Sequence, residues 1–112
     1  MTYTFADLEA LWRASCPDCS DQARQMACVA LAESGGDDKA TNTNQGPFSE
    51  DRGLWQINSL AWPQFNPPYD LFDATANAKA ARIVLMQQGI MAWSTWNNGS
   101  VARIAKQYGV TL

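Results

Sequence analysis

Apolar residues recur at helical spacing in four stretches of the chain, and the segments between them are polar or broken by proline and glycine. In the first stretch, Phe5, Leu8, Leu11 and Trp12 share a face. Thr4 and Asp7 stand as a capping-box-like pair at its start and Pro17 stops it, so a helix is predicted over residues 5–15. Ser20 is positioned to cap a second helix, in which Ala23, Met26, Ala27, Ala30 and Leu31 make an apolar stripe that ends before Gly35 and Gly36. Residues 36–50 carry scarcely an apolar side chain and read as a long surface loop, a length that is commonly functional. The alternation in Gly53-Leu54-Trp55-Gln56-Ile57-Asn58 fits a short strand or the first turn of a helix. Pro63, Pro67 and Pro68 keep the following stretch irregular. Asp73 or Thr75 then caps a third helix reaching about residue 88, with Ala76, Ala80, Ile83, Val84 and Gln87 on its face and Gly89 as its stop. Residues 93–99 form a turn or short helix, and Ser100 caps a last helix bearing Val101, Ile104, Ala105 and Tyr108. The pattern has no internal repeat and no linker, and describes one mainly helical domain over residues 1–112.

Glu33 stands out within this frame. It falls at the edge of the apolar stripe, nearly in line with Met26, in the last turn of its helix. The negative end of the helix dipole and partial burial both raise a carboxyl pKa there. A carboxyl group held protonated near neutral pH is what glycoside cleavage needs to protonate a leaving oxygen.

Composition narrows the alternatives. With 112 residues, 46% hydrophobic and 17% charged, the chain has enough apolar material for one core and too little charge for a disordered segment. Five tryptophans and three tyrosines exceed what such a core usually needs, and aromatic rings also serve as platforms for sugars. A net charge of −3 with scattered basic residues gives no footprint for nucleic acid. No stretch has transmembrane length, so no membrane insertion is expected. Histidine is absent, which leaves carboxylates as the acid–base groups. Cys16 and Cys19 have the spacing of a redox pair or half a zinc site, but no second pair or histidine completes four ligands and no βαβ pattern surrounds them, so neither metal nor cofactor is expected. A local disulfide, a bridge to Cys28, or reduced thiols all fit the three cysteines.

Four pieces occur in a set order: Ala32-Glu33-Ser34-Gly35-Gly36, the Asp51-Arg52-Gly53-Leu54-Trp55-Gln56-Ile57-Asn58 run, an alanine-rich helix over residues 77–85, and residues 93–99. In that order the chain resembles the soluble lytic transglycosylase and goose-type lysozyme family, most of all the compact versions in phage lysins and tail proteins. Each motif is short, and their joint order over roughly residues 20–100 is the specific part. The resemblance implies a lysozyme-like, mainly α fold around a sugar-binding groove, with at most a small β-hairpin near residues 48–58. It implies an enzyme that cleaves the β-1,4 bond between N-acetylmuramic acid and N-acetylglucosamine in peptidoglycan, without a cofactor.

Carried over by position, the resemblance makes Glu33 the general acid and has Ser34 orient it or contact the sugar. The family's Gly-Leu-Met-Gln appears as Gly53-Leu54-Trp55-Gln56, which puts Trp55 and Gln56 at the substrate. The late Ala-Tyr-Asn-Ala-Gly matches Thr95-Trp96-Asn97-Asn98-Gly99 loosely, placing Trp96 and Asn97 at the groove and losing the tyrosine hydroxyl that can bond the acid. Asn58 stands where hydrolysing goose-type enzymes have an aspartate. The second acid or base then falls to Glu50 or Asp51, or else Glu33 acts alone by lytic transglycosylation, leaving a 1,6-anhydro product. Trp12, Ile83, Val84 and Leu85 are read as core, and Trp62, Tyr69 and Trp93 as either packing or stacking surfaces. Asp70 and Asp73 are read as capping or loop residues, and Arg52 as pairing with Asp51 or with a peptide-stem carboxylate.

The implied partner is the peptidoglycan glycan strand, met by a monomer. No signal peptide is visible, so the expected setting is a phage-encoded enzyme released at host lysis or carried on the virion, where attached wall-binding or tail domains would tether an acidic protein to an anionic wall. The competing reading is a non-catalytic glycan-binding or structural module of a phage particle.

Overall fold

A computed structural model of the chain describes residues 1–43, 49–59, 61–65 and 70–112. Helix α1 (Phe5–Ser15) is opened by a full capping box: Thr4 Oγ1 accepts from the Asp7 amide and the Asp7 carboxylate accepts from the Thr4 amide. It buries Leu8 and Trp12, and the Trp12 indole donates to the Cys19 carbonyl at 3.1 Å. The chain then makes a 3-10 segment (Pro17–Gln22) before α2 (Ala23–Ser34) starts. Ser20 therefore does not cap α2. Pro17 and the disulfide between Cys16 and Cys19 hold the segment in tight turns, and the cap position falls to Gln22, which makes no side-chain cap bond. With its two sulfurs joined to each other, this pair does not offer thiolates to a metal, and Cys28 is a buried free thiol.

Helix α2 is the central strut. Ala23, Met26, Ala27, Cys28, Val29 and Ala30 are all buried, a wider apolar surface than the predicted stripe, because α1, α4 and α5 pack around it. It ends at Gly35, whose φ of 65° is the left-handed conformation that glycine adopts without strain. Three two-residue strands follow: β1 (Thr41–Asn42), β2 (Asp51–Arg52) and β3 (Ile57–Asn58). They form an antiparallel sheet in sequence order, pairing Thr41 with Arg52 and Asp51 with Asn58. The expected hairpin is therefore present as β2 and β3, with β1 added from the stretch read as loop. Residues 44–48 of that stretch lie outside the described residues, as does Tyr69.

Helix α3 (Ala74–Gln88) begins at Asp73, whose carboxylate accepts from the Ala76 amide, and stops at Gly89 as predicted. Of the residues read as core, Trp12, Val84 and Leu85 are buried and Ile83 is partly buried against them. The short helix α4 (Ser94–Asn97) leads into α5 (Ser100–Tyr108). Ser100 is the first residue of α5 and not its cap. Gly99 holds the cap position at φ 88°, and the Asn98 side chain accepts from the Ser100 amide. Phe5 and Tyr108 stack at 4.7 Å, which joins the first helix to the last. The described chain is thus mainly helical with one small sheet, and none of its described helices is long and apolar enough to cross a membrane.

The turn between β2 and β3 is held from the far side by α3. Asn77 is fully buried there, accepting from the Trp55 amide at 2.9 Å and donating to the carbonyls of Arg52 at 2.8 Å and Leu71 at 2.9 Å. Gly53 permits this approach: a Cβ at that position would lie 2.2 Å from the Leu71 carbonyl oxygen and 2.3 Å from Asn77 Nδ2. The two large rings Trp12 and Trp55 meet inside at 5.6 Å, so the turn is anchored to the helical core as well.

Candidate active site

A cleft of about 230 Å³ separates the sheet from the helical part. Glu33 enters it from the last turn of α2, Asp51 and Asn58 from the sheet, Trp62 from the chain beyond, Val84 from α3, and Trp93 from the entry to α4. Glu33 is partly buried, and its pKa is raised above the ordinary 4.5. Loss of solvent is the largest cause, and the negative charge of Asp51 adds to it. Opposing both, the Thr95 hydroxyl donates to Glu33 Oε2, and the Thr95 backbone beside the carboxylate acts in the same direction. The Trp93 ring is buried beside the cleft and its indole donates to the Trp55 carbonyl at 2.9 Å, which fixes the ring against the turn.

The two candidates for the second carboxylate part company here. Successive side chains on a strand point to opposite faces. Asp51 faces the cleft, whereas Glu50 turns the other way and takes Arg52 in a two-pronged bond, 2.9 Å from Nε and 2.6 Å from Nη2. Arg52 also lies over the Phe72 ring, so its partners are Glu50 and Phe72 and not Asp51. Glu50 is thus engaged with Arg52, and of the two it is Asp51 that lines the cleft. Asn58, read as a sugar contact, lines the cleft but uses its amide internally. Its Nδ2 donates to Asp51 Oδ1 at 2.8 Å and to Ser49 Oγ at 2.9 Å, and its Oδ1 accepts from the Ala61 amide. It orients Asp51.

Five further residues expected at the substrate make bonds or packing contacts within the fold. Trp55 has no exposed surface, because the tight turn drives its ring into the core, where its indole donates to the Met26 carbonyl at 3.0 Å. Gln56 lines the cleft at φ 52°, but its side chain braces the sheet: Nε2 donates to the Gly53 and Ala40 carbonyls and Oε1 accepts from Asn42. Ser34 points back toward the sheet, with Oγ near the carbonyls of Ala30 at 2.9 Å and Leu54 at 2.8 Å and accepting from the Gly36 amide. It ties the helix end to the turn and so sets Glu33 indirectly. Trp96 packs partly buried against the core, and exposed Asn97 donates to the Met91 carbonyl at 3.0 Å. A helix turns about 100° per residue, so presenting Thr95 to Glu33 carries Trp96 and Asn97 off the cleft.

Asp70 and Asp73 serve as loop and cap residues. Trp62 and Trp93 both line the cleft, and Trp62 stacks on Phe65 at 5.7 Å. Two residues of consequence were not singled out from the sequence, Thr95 and Asn77. Thr95 stands beside an aromatic that drew the comparison with tyrosine, and Asn77 sits in an alanine-rich helix where an amide reads as surface.

The family model described as "Lysozyme like domain" matches residues 15–97, which takes in every cleft residue named above. The chain belongs to the lysozyme-like domain family. Curated relatives agree: Lysozyme C of Nasalis larvatus is 37% identical over 95 residues, covering 72% of this chain and 64% of the relative. Lysozyme C of Pygathrix nemaeus is 35% identical and that of Trichosurus vulpecula 34%, with the same coverage. The chain thus spans 64% of the length of the curated relatives it matches. Membership in the lysozyme-like family agrees with the mainly helical fold and with a cleft between a small sheet and the helices.

Proposed function

We propose that this lysozyme-like domain is a glycosidase that hydrolyses the β-1,4 bond between N-acetylmuramic acid and N-acetylglucosamine in peptidoglycan. The observation that carries the reading is the pairing of a protonation-prone Glu33 with Asp51 on the facing wall of one cleft. Two carboxyl groups in unlike surroundings divide the work, and lysozymes are the type case of that division. Glu33, desolvated and beside a negative charge, enters the reaction neutral and gives its proton to the glycosidic oxygen. Asp51, held by Asn58, faces the sugar carbon as positive charge develops on it. Water then delivers hydroxide to that carbon and a proton back to Glu33, which restores the acid.

Asp51 is what favours hydrolysis over lytic transglycosylation. The single-acid route through an internal sugar hydroxyl is the one to expect where no second carboxylate faces the acid. With Asp51 at the cleft and Asn58 bonded to it, a second carboxylate is available. We also propose that the domain acts on bacterial walls with the help of a tethering wall-binding partner, since a net charge of −3 gives it no electrostatic pull toward an anionic wall.

The test is clearing of purified cell-wall suspensions by wild type, Glu33→Gln and Asp51→Asn. Both variants are expected to fold and to lose at least about a hundredfold in rate, the usual worth of a positioned acid or of charge stabilisation. Clearing by Glu33→Gln at the wild-type rate would remove Glu33 from the mechanism. Sedimentation with walls but no clearing by the wild type would favour a glycan-binding module instead.

A further inference from the structure

We propose that Thr95 is the positioning residue of Glu33, its hydroxyl holding the acid in the orientation from which the proton leaves; the inference rests on the glycosidase reading above. The geometry is specific. Glu33 ends a buried helix and Thr95 begins the next turn of chain after Trp93, 62 positions later, and the Thr95 Oγ1–H donates to Oε2 of Glu33 across the junction. Thr95 belongs to α4, which packs directly on α2, and the Trp93 indole ties the entry of α4 to the Trp55 carbonyl. The hydroxyl is therefore carried by a rigid element fastened at the same turn that carries Asp51.

Two consequences follow from a donor fixed on Oε2. In the neutral acid the proton is directed to Oε1, so one oxygen is the anchor and the other the delivering atom. In the carboxylate left after proton transfer, the Thr95 donor stabilises the charge against the Asp51 carboxylate, which is the charged group facing Glu33 from the sheet. The hydroxyl so limits how far the cleft raises Glu33.

The experiment compares Thr95→Val, which keeps the shape and removes the donor, with Thr95→Ser, which keeps the donor and removes the methyl group. Two readouts are taken: the pH profile of wall clearing, and titration of the Glu33 carboxyl by carbon NMR of glutamate-labelled protein. The chain has three glutamates, so Glu33 is assigned by its absence from Glu33→Gln. Thr95→Val is expected to move both the Glu33 titration and the basic limb of the activity profile to higher pH, and to lower kcat about tenfold with little change in KM, as for a lost orienting contact. Thr95→Ser is expected to follow the wild type in both. An unmoved Glu33 titration in Thr95→Val, or equal losses in the two variants, overturns the proposal. The NMR arm reads the Thr95–Glu33 contact even in an inactive protein, so failure of the glycosidase reading, seen as an active Glu33→Gln, is distinguished from failure of this one.

Discussion

Replacing Asn77 by alanine should unfold the sheet side of the cleft before anything else. The side chain is fully buried and makes three hydrogen bonds, one accepted from the Trp55 amide and two donated to the Arg52 and Leu71 carbonyls. Truncation leaves the buried Trp55 amide without its acceptor and takes a donor from each carbonyl. An orphaned buried polar group costs about 1–3 kcal/mol and a lost ordinary bond about 1 kcal/mol, so the sum is about 3–5 kcal/mol. That is a large part of the roughly 5–15 kcal/mol available to a small domain. At about 4–8 °C per kcal/mol for a domain of this size, the melting temperature should drop by about 12 °C or more. Urea unfolding followed by tryptophan fluorescence measures the loss, and wall clearing measured below the transition reports Asp51, which hangs on the same turn. Asn77→Asp should be no better, because a carboxylate keeps the acceptor but faces two carbonyl oxygens. A loss under about 1 kcal/mol in Asn77→Ala would refute the claim that this amide holds the turn.

Further outcomes follow from the same geometry. Because Glu33 binds its proton more tightly folded than unfolded, its contribution to stability is complete below the unfolded value and is lost as pH rises through the folded one. Glu33→Gln should therefore gain stability over the wild type progressively across that window and hold the gain above it; a difference independent of pH would contradict the raised pKa. Replacing both Cys16 and Cys19 by serine opens a loop closed across a separation of 3, so the cost should be no more than about 2 kcal/mol by chain entropy. Chemical unfolding of the double variant checks this, and a much larger loss would mean that the bridge does more than close a short loop.

The helices were legible where local chemistry and packing agree. Thr4 with Asp7, Asp73, Gly35 and Gly89 set the ends of α1, α2 and α3 through bonds made within a few residues, so sequence alone locates them. The start of α2 was not legible, because a disulfide and the fixed φ of Pro17 delay it to Ala23. Glu33 could be singled out from its place at the edge of an apolar stripe, and Asp51 only as one of two neighbours. Choosing between Asp51 and Glu50 needs the strand register, which is set by pairing with Ile57 and Asn58. Trp55 misled for a related reason. Its place in a motif points to a groove, while the tight turn at Gly53, packed against Leu71 and Asn77, leaves its ring fully buried in the core. Thr95 and Asn77 act through partners 62 and 22 positions away, and no local pattern announces such contacts.

The central claim is that Glu33 and Asp51 together hydrolyse the glycan. Mass spectrometry of the fragments released from purified peptidoglycan tests it most directly, because hydrolysis adds a water that an internal sugar hydroxyl does not. Wild type is expected to release fragments ending in a reducing N-acetylmuramic acid, and Glu33→Gln and Asp51→Asn none above background. Fragments lighter by one water, ending in the 1,6-anhydro sugar and still produced by Asp51→Asn, would contradict it.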